Sequence, residues 1–93
     1  MLHVVVAYDV IEDRRRNRLA KFLRGYLDRV QKSVFEGEIE DKRFQPMKSG
    51  IEEIVDQEQD TVRIFELCAR CIGTIDIIGT GAYIDEPDED VII

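Results

Sequence analysis

The chain has 93 residues and a mass of 10.8 kDa, which allows one domain spanning residues 1–93. With 44% hydrophobic and 35% charged residues, its composition is that of an ordinary globular protein and excludes a low-complexity chain. No apolar run approaches the roughly 18–20 residues of a membrane-spanning helix, which excludes that class. The N-terminus shows no secretory signal pattern, so we expect a cytoplasmic protein with no membrane contact.

The charge is distributed unevenly along the chain. The net charge is −7, yet residues 14–32 hold eight basic residues and one acidic residue, a local charge of +7. The remaining residues carry five basic and nineteen acidic groups, or −14. A local positive field attracts polyanions such as nucleic acids, although a solvated basic helix facing acidic residues elsewhere would have the same composition.

The first predicted elements are a strand and a helix. Residues 2–8 (LHVVVAY) are nearly all apolar, which indicates a strand covered on both faces. We predict a helix from about Asp13, its candidate N-cap, to Leu27. Apolar residues that define its buried face recur at helical spacing at Leu19, Phe22, Leu23, Tyr26 and Leu27. The same spacing places Arg14 and Arg18 on the outer face.

A second strand and a second helix follow. Residues 30–39 (VQKSVFEGEI) alternate well enough for one strand, with a bulge or bend at Gly37. The second helix starts between Asp41 and Pro46, because proline is tolerated in a first helical turn. Its apolar face consists of Phe44, Met47, Ile51, Ile54 and Val55, and Gly50 weakens it.

Two further strands, at residues 61–68 and 75–78, complete a split βαβ order. The predicted fold class is therefore α+β and ferredoxin-like: a four-stranded sheet, with the first and third strands central, and two helices on one face. Since the helices cover only one face and the first strand is apolar on both, we expect a homodimer. Residues 91–93 predict a short C-terminal strand that pairs with the partner's sheet.

Asp9 is the strongest candidate for chemistry, because it lies where a central strand ends and a helix begins. One carboxylate is a poor magnesium site, but two Asp9 residues meeting across a dimer dyad could hold one Mg²⁺ or Mn²⁺. Such an ion can activate a water for attack on a phosphodiester. The alternative is that Asp9 caps the following turn or pairs with Arg16.

The arginines near this strand end suit phosphate, since guanidinium groups bind phosphate oxygens bidentately. Arg16 and Arg18 are closest in sequence, and Arg29 starts the next strand. Phe35 could stack on a base or pack in the dimer interface, and packing is the more common role for an aromatic residue in a strand.

His3 is the only histidine, so a histidine-dependent triad is not available in one chain. Cys68 and Cys71 form one C-x-x-C pair, which cannot complete a zinc site alone; we interpret them as two reduced cysteines at a strand-end turn, and a four-cysteine zinc site across a dimer is the alternative.

The runs VVVAYDV at 4–10, RLAKFL at 18–23 and RVQKSVFEG at 29–37 resemble the small CRISPR-associated spacer-acquisition proteins, the Cas2 family. This resemblance implies a ferredoxin-like fold and a homodimer. Members of the family have been assigned metal-dependent endonuclease activity on single-stranded RNA or duplex DNA. It also implies a dimer that bridges copies of an integrase subunit and holds the duplex that becomes a new spacer.

The resemblance also assigns residues. It implies Asp9 as the ligand of Mg²⁺ or Mn²⁺, and the other family positions are matched by Arg16, Arg18, Arg29 and Phe35. With Arg14 from the basic segment, these arginines and Phe35 form the predicted nucleic-acid contact. Three functions remain open: a metal-dependent nuclease, a non-catalytic adaptor, and a generic ferredoxin-like regulatory dimer. The basic segment disfavours the third, and we favour the adaptor.

Overall fold

The computed structural model describes residues 1–68, 70 and 76–79. Its elements, in chain order, are β1 (Leu2–Asp9), α1 (Asp13–Leu23), β2 (Asp28–Gln31), β3 (Val34–Ile39), α2 (Asp41–Ile54) and β4 (Thr61–Leu67). The strands form one antiparallel sheet in the order β2-β3-β1-β4. This topology confirms the predicted ferredoxin-like α+β fold. Neither helix in the described ranges is long and apolar enough to cross a membrane.

The core lies between one face of the sheet and the two helices. Alternate residues of β1 point into it, so Val4, Val6 and Tyr8 are buried, and Phe35 of β3 lies opposite Val6. The helices contribute Leu19, Ala20, Leu23, Met47, Ile51 and Ile54. Burial of each large apolar side chain stabilises the fold by about 1.5–3 kcal/mol, which holds both helices on this face.

The prediction of one strand over residues 30–39 was wrong. These residues belong to a hairpin in which Gln31 of β2 pairs with Val34 of β3, separated by a two-residue turn. The register irregularity lies between Arg29 and Gln31, whereas Gly37 pairs regularly with Val4. The strand that begins at Thr61, predicted to be the third and central, is therefore the fourth and lies at an edge of the described sheet, where β1 and β3 are the central strands.

The helix boundaries also differ from prediction. The α1 helix begins at Asp13 but its N-cap is Glu12, without a side-chain cap, and it ends at Leu23. Tyr26 and Leu27 still pack on the core from the turn that follows. The α2 helix begins at Asp41, which leaves Pro46 in the second turn instead of the first.

The C-terminal predictions are tested only in small part. Residues 76–78, which were predicted to be strand, are not in a strand, and Ile75 lies outside the described residues. The predicted pairing strand at 91–93 also lies outside them.

Candidate nucleic-acid and metal site

Asp9 is the last residue of β1 and its side chain is exposed. Its Cα pairs with that of Thr61, the first residue of β4. Strand alternation places it on the sheet face opposite the helices, where a shallow depression is lined by Ala7, Tyr8, Asp9, Thr61 and Arg63. No hydrogen bond or ion pair of the Asp9 carboxylate occurs within the described ranges, so this carboxylate is presented to solvent.

The loop that follows Asp9 is held by Arg16. Arg16 Nη1 donates to the carbonyl oxygens of Val10, at 2.7 Å, and Ile11, at 3.4 Å. Arg16 Nη2 forms an ion pair with Asp13. The alternative pairing of Asp9 with Arg16 is therefore not observed, because this guanidinium binds the loop backbone and the first turn of α1.

A second arginine, Arg15, forms a contact that the sequence did not single out. Its Nε and Nη2 donate to the two carboxylate oxygens of Asp60, at 2.9 and 3.2 Å. The Asp60 side chain has no exposed surface, and it also accepts hydrogen bonds from the backbone N–H groups of Ile11, at 3.0 Å, and Asp56, at 2.9 Å. One carboxylate thus connects α1, the loop after β1 and the loop before β4.

These contacts determine the charge state of Asp60. The hydrogen bond from Arg15, together with those from the Asp56 and Ile11 backbone, lowers the pKa of Asp60 to about 2, against the effect of burial. The hydrogen bond to Asp60 in turn raises the pKa of Arg15. Both groups are charged at any working pH.

Arg14 and Arg18 are exposed on the outer side of α1. Together with Glu12 and Arg15 they line a shallow pocket beside the first turns of the helix. Lys21, one turn further on, is also exposed and lies with Arg18 beside a second groove. The helix therefore presents a row of exposed cations on the other side of the sheet from the Asp9 side chain.

Arg29 and Phe35, by contrast, lie inside the fold. Arg29 is 6% exposed; its Nε and Nη2 donate to the carbonyl oxygen of Lys32, at 3.2 and 2.7 Å. Its guanidinium lies 5.7 Å from the centre of the Phe35 ring, which is fully buried and stacks with Tyr8. Their burial argues against the predicted direct contact with nucleic acid. Phe35 packs in the core between the sheet and the helices, and not in a dimer interface as expected.

The sheet face opposite the helices has a mostly apolar centre. Val5 pairs with Phe65 and Ala7 pairs with Val34 across neighbouring strands, which places these four side chains on one surface. Phe65 is 47% exposed. His3 lies on the same face and its Nε2 is 2.8 Å from Glu36 Oε2, so the lone histidine has a partner within the sheet.

The described residues can be compared with the ligands that the predicted metal ion needs. Among the described residues, no group of three or more histidine, cysteine, aspartate or glutamate side chains could hold an ion. Asp9 supplies a single carboxylate. Mg²⁺ commonly binds one or two protein carboxylates and keeps several waters, so two Asp9 residues from two copies would suit it and one would not. Cys68 is exposed after β4, and Cys71 lies outside the described residues.

The fold and the site define a ferredoxin-like protein that presents an exposed strand-end carboxylate and a basic helix. The model of the family CRISPR associated protein Cas2 matches residues 1–75, and the chain belongs to this family. It is 40% identical over 78 residues to the CRISPR-associated endoribonuclease Cas2 1 of Chloroflexus aurantiacus, covering 83% of this chain and 84% of that one.

Solved structures agree with this assignment. The crystal structure of Streptococcus pyogenes Cas2 at pH 6.5 matches with a TM-score of 0.72 and 29% identity, over 83% of this chain and 99% of that one. A chain of a partial Cas6-RT-Cas1–Cas2 complex matches with a TM-score of 0.73 and 30% identity, over 84% of this chain and 91% of that one.

Proposed function

We propose that this chain is a dimeric subunit of CRISPR adaptation that binds nucleic-acid phosphates in the cytoplasm and bridges copies of an integrase subunit. Membership of the Cas2 family supports this role, as does the match to a chain from a complex that also contains Cas1. The single observation that carries the binding function is the exposed row of cations on α1. Family membership also speaks against a generic regulatory dimer.

The dimer is supported by the sheet face opposite the helices. Val5, Ala7, Val34 and Phe65 form an apolar surface beside Asp9 on the same strands. Pairing this face with its copy about a twofold axis would remove the apolar surface from water and bring two strand ends toward each other.

Nucleic-acid binding is assigned to Arg14 and Arg18, because both are exposed and neither is held by a loop in the way Arg16 is. Exposed guanidinium groups at a helix start bind phosphate oxygens bidentately and remain charged. Arg16 contributes by fixing the loop that precedes α1, whereas Arg29 and Phe35 stabilise the β2–β3 hairpin and the core.

A second function, metal-dependent phosphodiester cleavage, is favoured by the exposed Asp9 carboxylate and by the name endoribonuclease of the Chloroflexus aurantiacus relative. In this proposal Asp9 from each copy would hold Mg²⁺ or Mn²⁺, which when bound supplies an activated water and charge stabilisation.

The binding proposal is tested by the salt dependence of duplex DNA and single-stranded RNA affinity. Arg14→Ala with Arg18→Ala should weaken binding on all sequences and reduce the slope of log K against log salt by about 1–2. Lys42→Ala with Lys48→Ala, an equal loss of exposed charge on α2, is the matched control and should change the slope less. An unchanged slope in the first pair, or an equal change in both, would refute this contact surface.

Cleavage and bridging have their own tests. Asp9→Ala should abolish metal-dependent cleavage and leave duplex affinity unchanged; cleavage that persists in this variant excludes Asp9 as the ligand.

Native mass spectrometry with the integrase subunit should detect one dimer of this chain between two integrase dimers. Failure to associate would refute the bridging role without affecting the binding surface.

A further inference from the structure

Three exposed cations of α1 form a surface of positive charge, which we call the cation row. Arg14, Arg18 and Lys21 recur at helical spacing on the outer side of the helix, over about 10 Å of its length. No hydrogen bond or ion pair of these three side chains occurs within residues 1–68, 70 and 76–79. Glu12, which lines the same pocket as Arg14 and Arg18, binds Arg15 instead. The cation row is therefore open to a partner of negative charge.

The densest negative charge in the chain is at residues 85–90 (DEPDED), of which five are acidic. We call these residues the acidic segment; without their five charges the net charge of −7 would be −2. They lie outside the described residues. Blocks of like charge this dense commonly contact a surface of opposite charge.

The chain between β4 and the acidic segment is long enough to bring the segment to α1. Eighteen residues separate Leu67, the last residue of β4, from Asp85. A chain of this length spans up to about 60 Å, whereas the largest extent of the molecule is 36 Å. Because the segment is tethered, its effective concentration at the cation row is on the order of millimolar.

The acidic segment and a nucleic acid offer the same chemistry to the cation row. Guanidinium groups bind carboxylates and phosphates with the same two-oxygen geometry, so Arg14 and Arg18 suit either. Since each cation can be neutralised by only one of them at a time, the two ligands compete.

We propose that the acidic segment of this chain occupies the cation row in the absence of nucleic acid, and that a nucleic acid displaces it on binding. This inference rests on the proposed nucleic-acid surface at Arg14 and Arg18. The contact lowers the affinity for every nucleic acid, and most strongly at low salt, because exposed ion pairs weaken as ionic strength rises.

The test removes the charge of the acidic segment from the intact chain. The neutral-segment variant carries isosteric substitutions at all five acidic positions: Asp85→Asn, Glu86→Gln, Asp88→Asn, Glu89→Gln and Asp90→Asn. The matched control removes the same charge from exposed positions that do not line the cation row: Glu38→Gln, Glu40→Gln, Glu52→Gln, Glu58→Gln and Glu66→Gln.

The first measurement is made without nucleic acid, by ¹H–¹⁵N spectra of the backbone amides. At about 50 mM salt the neutral-segment variant should differ from wild type at residues 14–21, and at about 500 mM salt the difference should vanish. The control variant should match wild type at these residues under both conditions.

The second measurement is affinity for single-stranded RNA and duplex DNA. The neutral-segment variant should bind both about three- to tenfold more tightly than wild type at about 50 mM salt, and within twofold of it at about 500 mM. In a background of Arg14→Ala with Arg18→Ala the gain at low salt should fall below about twofold, because the segment has lost two of its three partners.

The failures of this contact and of the binding surface are distinguishable. If the arginine pair lowers affinity but the neutral-segment variant has wild-type α1 amide shifts and wild-type affinity, the contact is refuted and the binding surface stands. If the arginine pair leaves affinity unchanged while the α1 amides shift, the binding surface and the competition are refuted and the contact stands.

Two other outcomes would also refute the contact. An equal gain of affinity in the control variant, with unchanged α1 amide shifts, would mean that the segment acts only through general repulsion of nucleic acid. Loss of association with the integrase subunit in the neutral-segment variant, with unchanged α1 amide shifts, would assign the segment to that partner.

Discussion

Gly50 of α2 faces the ring of Phe22 in α1 so closely that a methyl group at Gly50 would lie 2.7 and 2.8 Å from two ring carbons. The two helices can approach at this point because Gly50 has no side chain. A residue that the sequence pattern identified as a weak point of the helix is therefore a packing requirement.

Gly50→Ala should destabilise the protein by about 1–2 kcal/mol, although alanine improves helix propensity by about 1 kcal/mol, because overpacking costs about 1–3 kcal/mol. Urea unfolding measures the difference. Gly25→Ala is the matched control, since its nearest contact would be 3.4 Å from the Phe22 carbonyl oxygen, and it should be near neutral. A stabilised Gly50→Ala variant would show that the helices separate without cost.

The Arg15–Asp60 pair predicts a pH dependence of stability. The folded-state pKa of Asp60, about 2, lies below its unfolded value, near 3.8, so its contribution is fully present above about pH 4. It is lost as the pH falls from about 4 toward 2. The stability difference between wild type and Asp60→Asn should therefore be constant from pH 7 to 4 and shrink below that.

Urea unfolding of both proteins across this pH range makes the comparison. Asp56→Asn is the control, since its carboxylate is not the one that Arg15 binds. A difference that begins to shrink near pH 6 would contradict the assignment, because no group in this pair titrates there.

Phe35 should affect stability and not recognition. Phe35→Leu is expected to cost about 1–1.5 kcal/mol, because the ring is fully buried against Tyr8 and Arg29. Fluorescence anisotropy should give wild-type affinity for RNA and DNA at a temperature where the variant is folded. A large loss of affinity with unchanged stability would restore the base-stacking interpretation.

The apolar face predicts the oligomeric state. Phe65→Ser should shift the mass measured by light scattering from dimer toward monomer at micromolar concentration, because Phe65 is a large exposed apolar side chain on the face opposite the helices. Ile11→Ser is the control: Ile11 is more exposed, at 64%, but lies in the loop after β1. A wild-type protein that is monomeric at this concentration would refute the proposed dimer.

The fold was largely predictable because its signals are local. The apolar run of β1 and the helical spacing of Leu19 and Leu23 identify elements without knowledge of their neighbours. The β2–β3 hairpin was missed because its turn, Lys32 and Ser33, contains none of the glycine, asparagine or aspartate residues that mark tight hairpins. That hairpin also buries Arg29, which the sequence predicted to be at the surface.

The candidate site was predictable only in part. Asp9 could be identified as a candidate because it directly follows the apolar run of β1, which marks the end of that strand in the sequence alone. The Arg15–Asp60 pair joins residues 45 positions apart, in a chain with 13 basic and 20 acidic side chains, so no spacing rule selects it. Helical spacing was enough to place Arg18 on the outer face, but only the structure shows that Arg16 binds the backbone of the loop after β1.

The most direct test of the account is cleavage by mixtures of wild type and Asp9→Ala, refolded together at constant total concentration so that their subunits exchange. If each active site needs one Asp9 from each copy, the rate should fall with the square of the wild-type fraction, to about one quarter in an equal mixture. A rate proportional to the wild-type fraction, about one half in that mixture, would mean that each chain acts alone and would contradict the shared site.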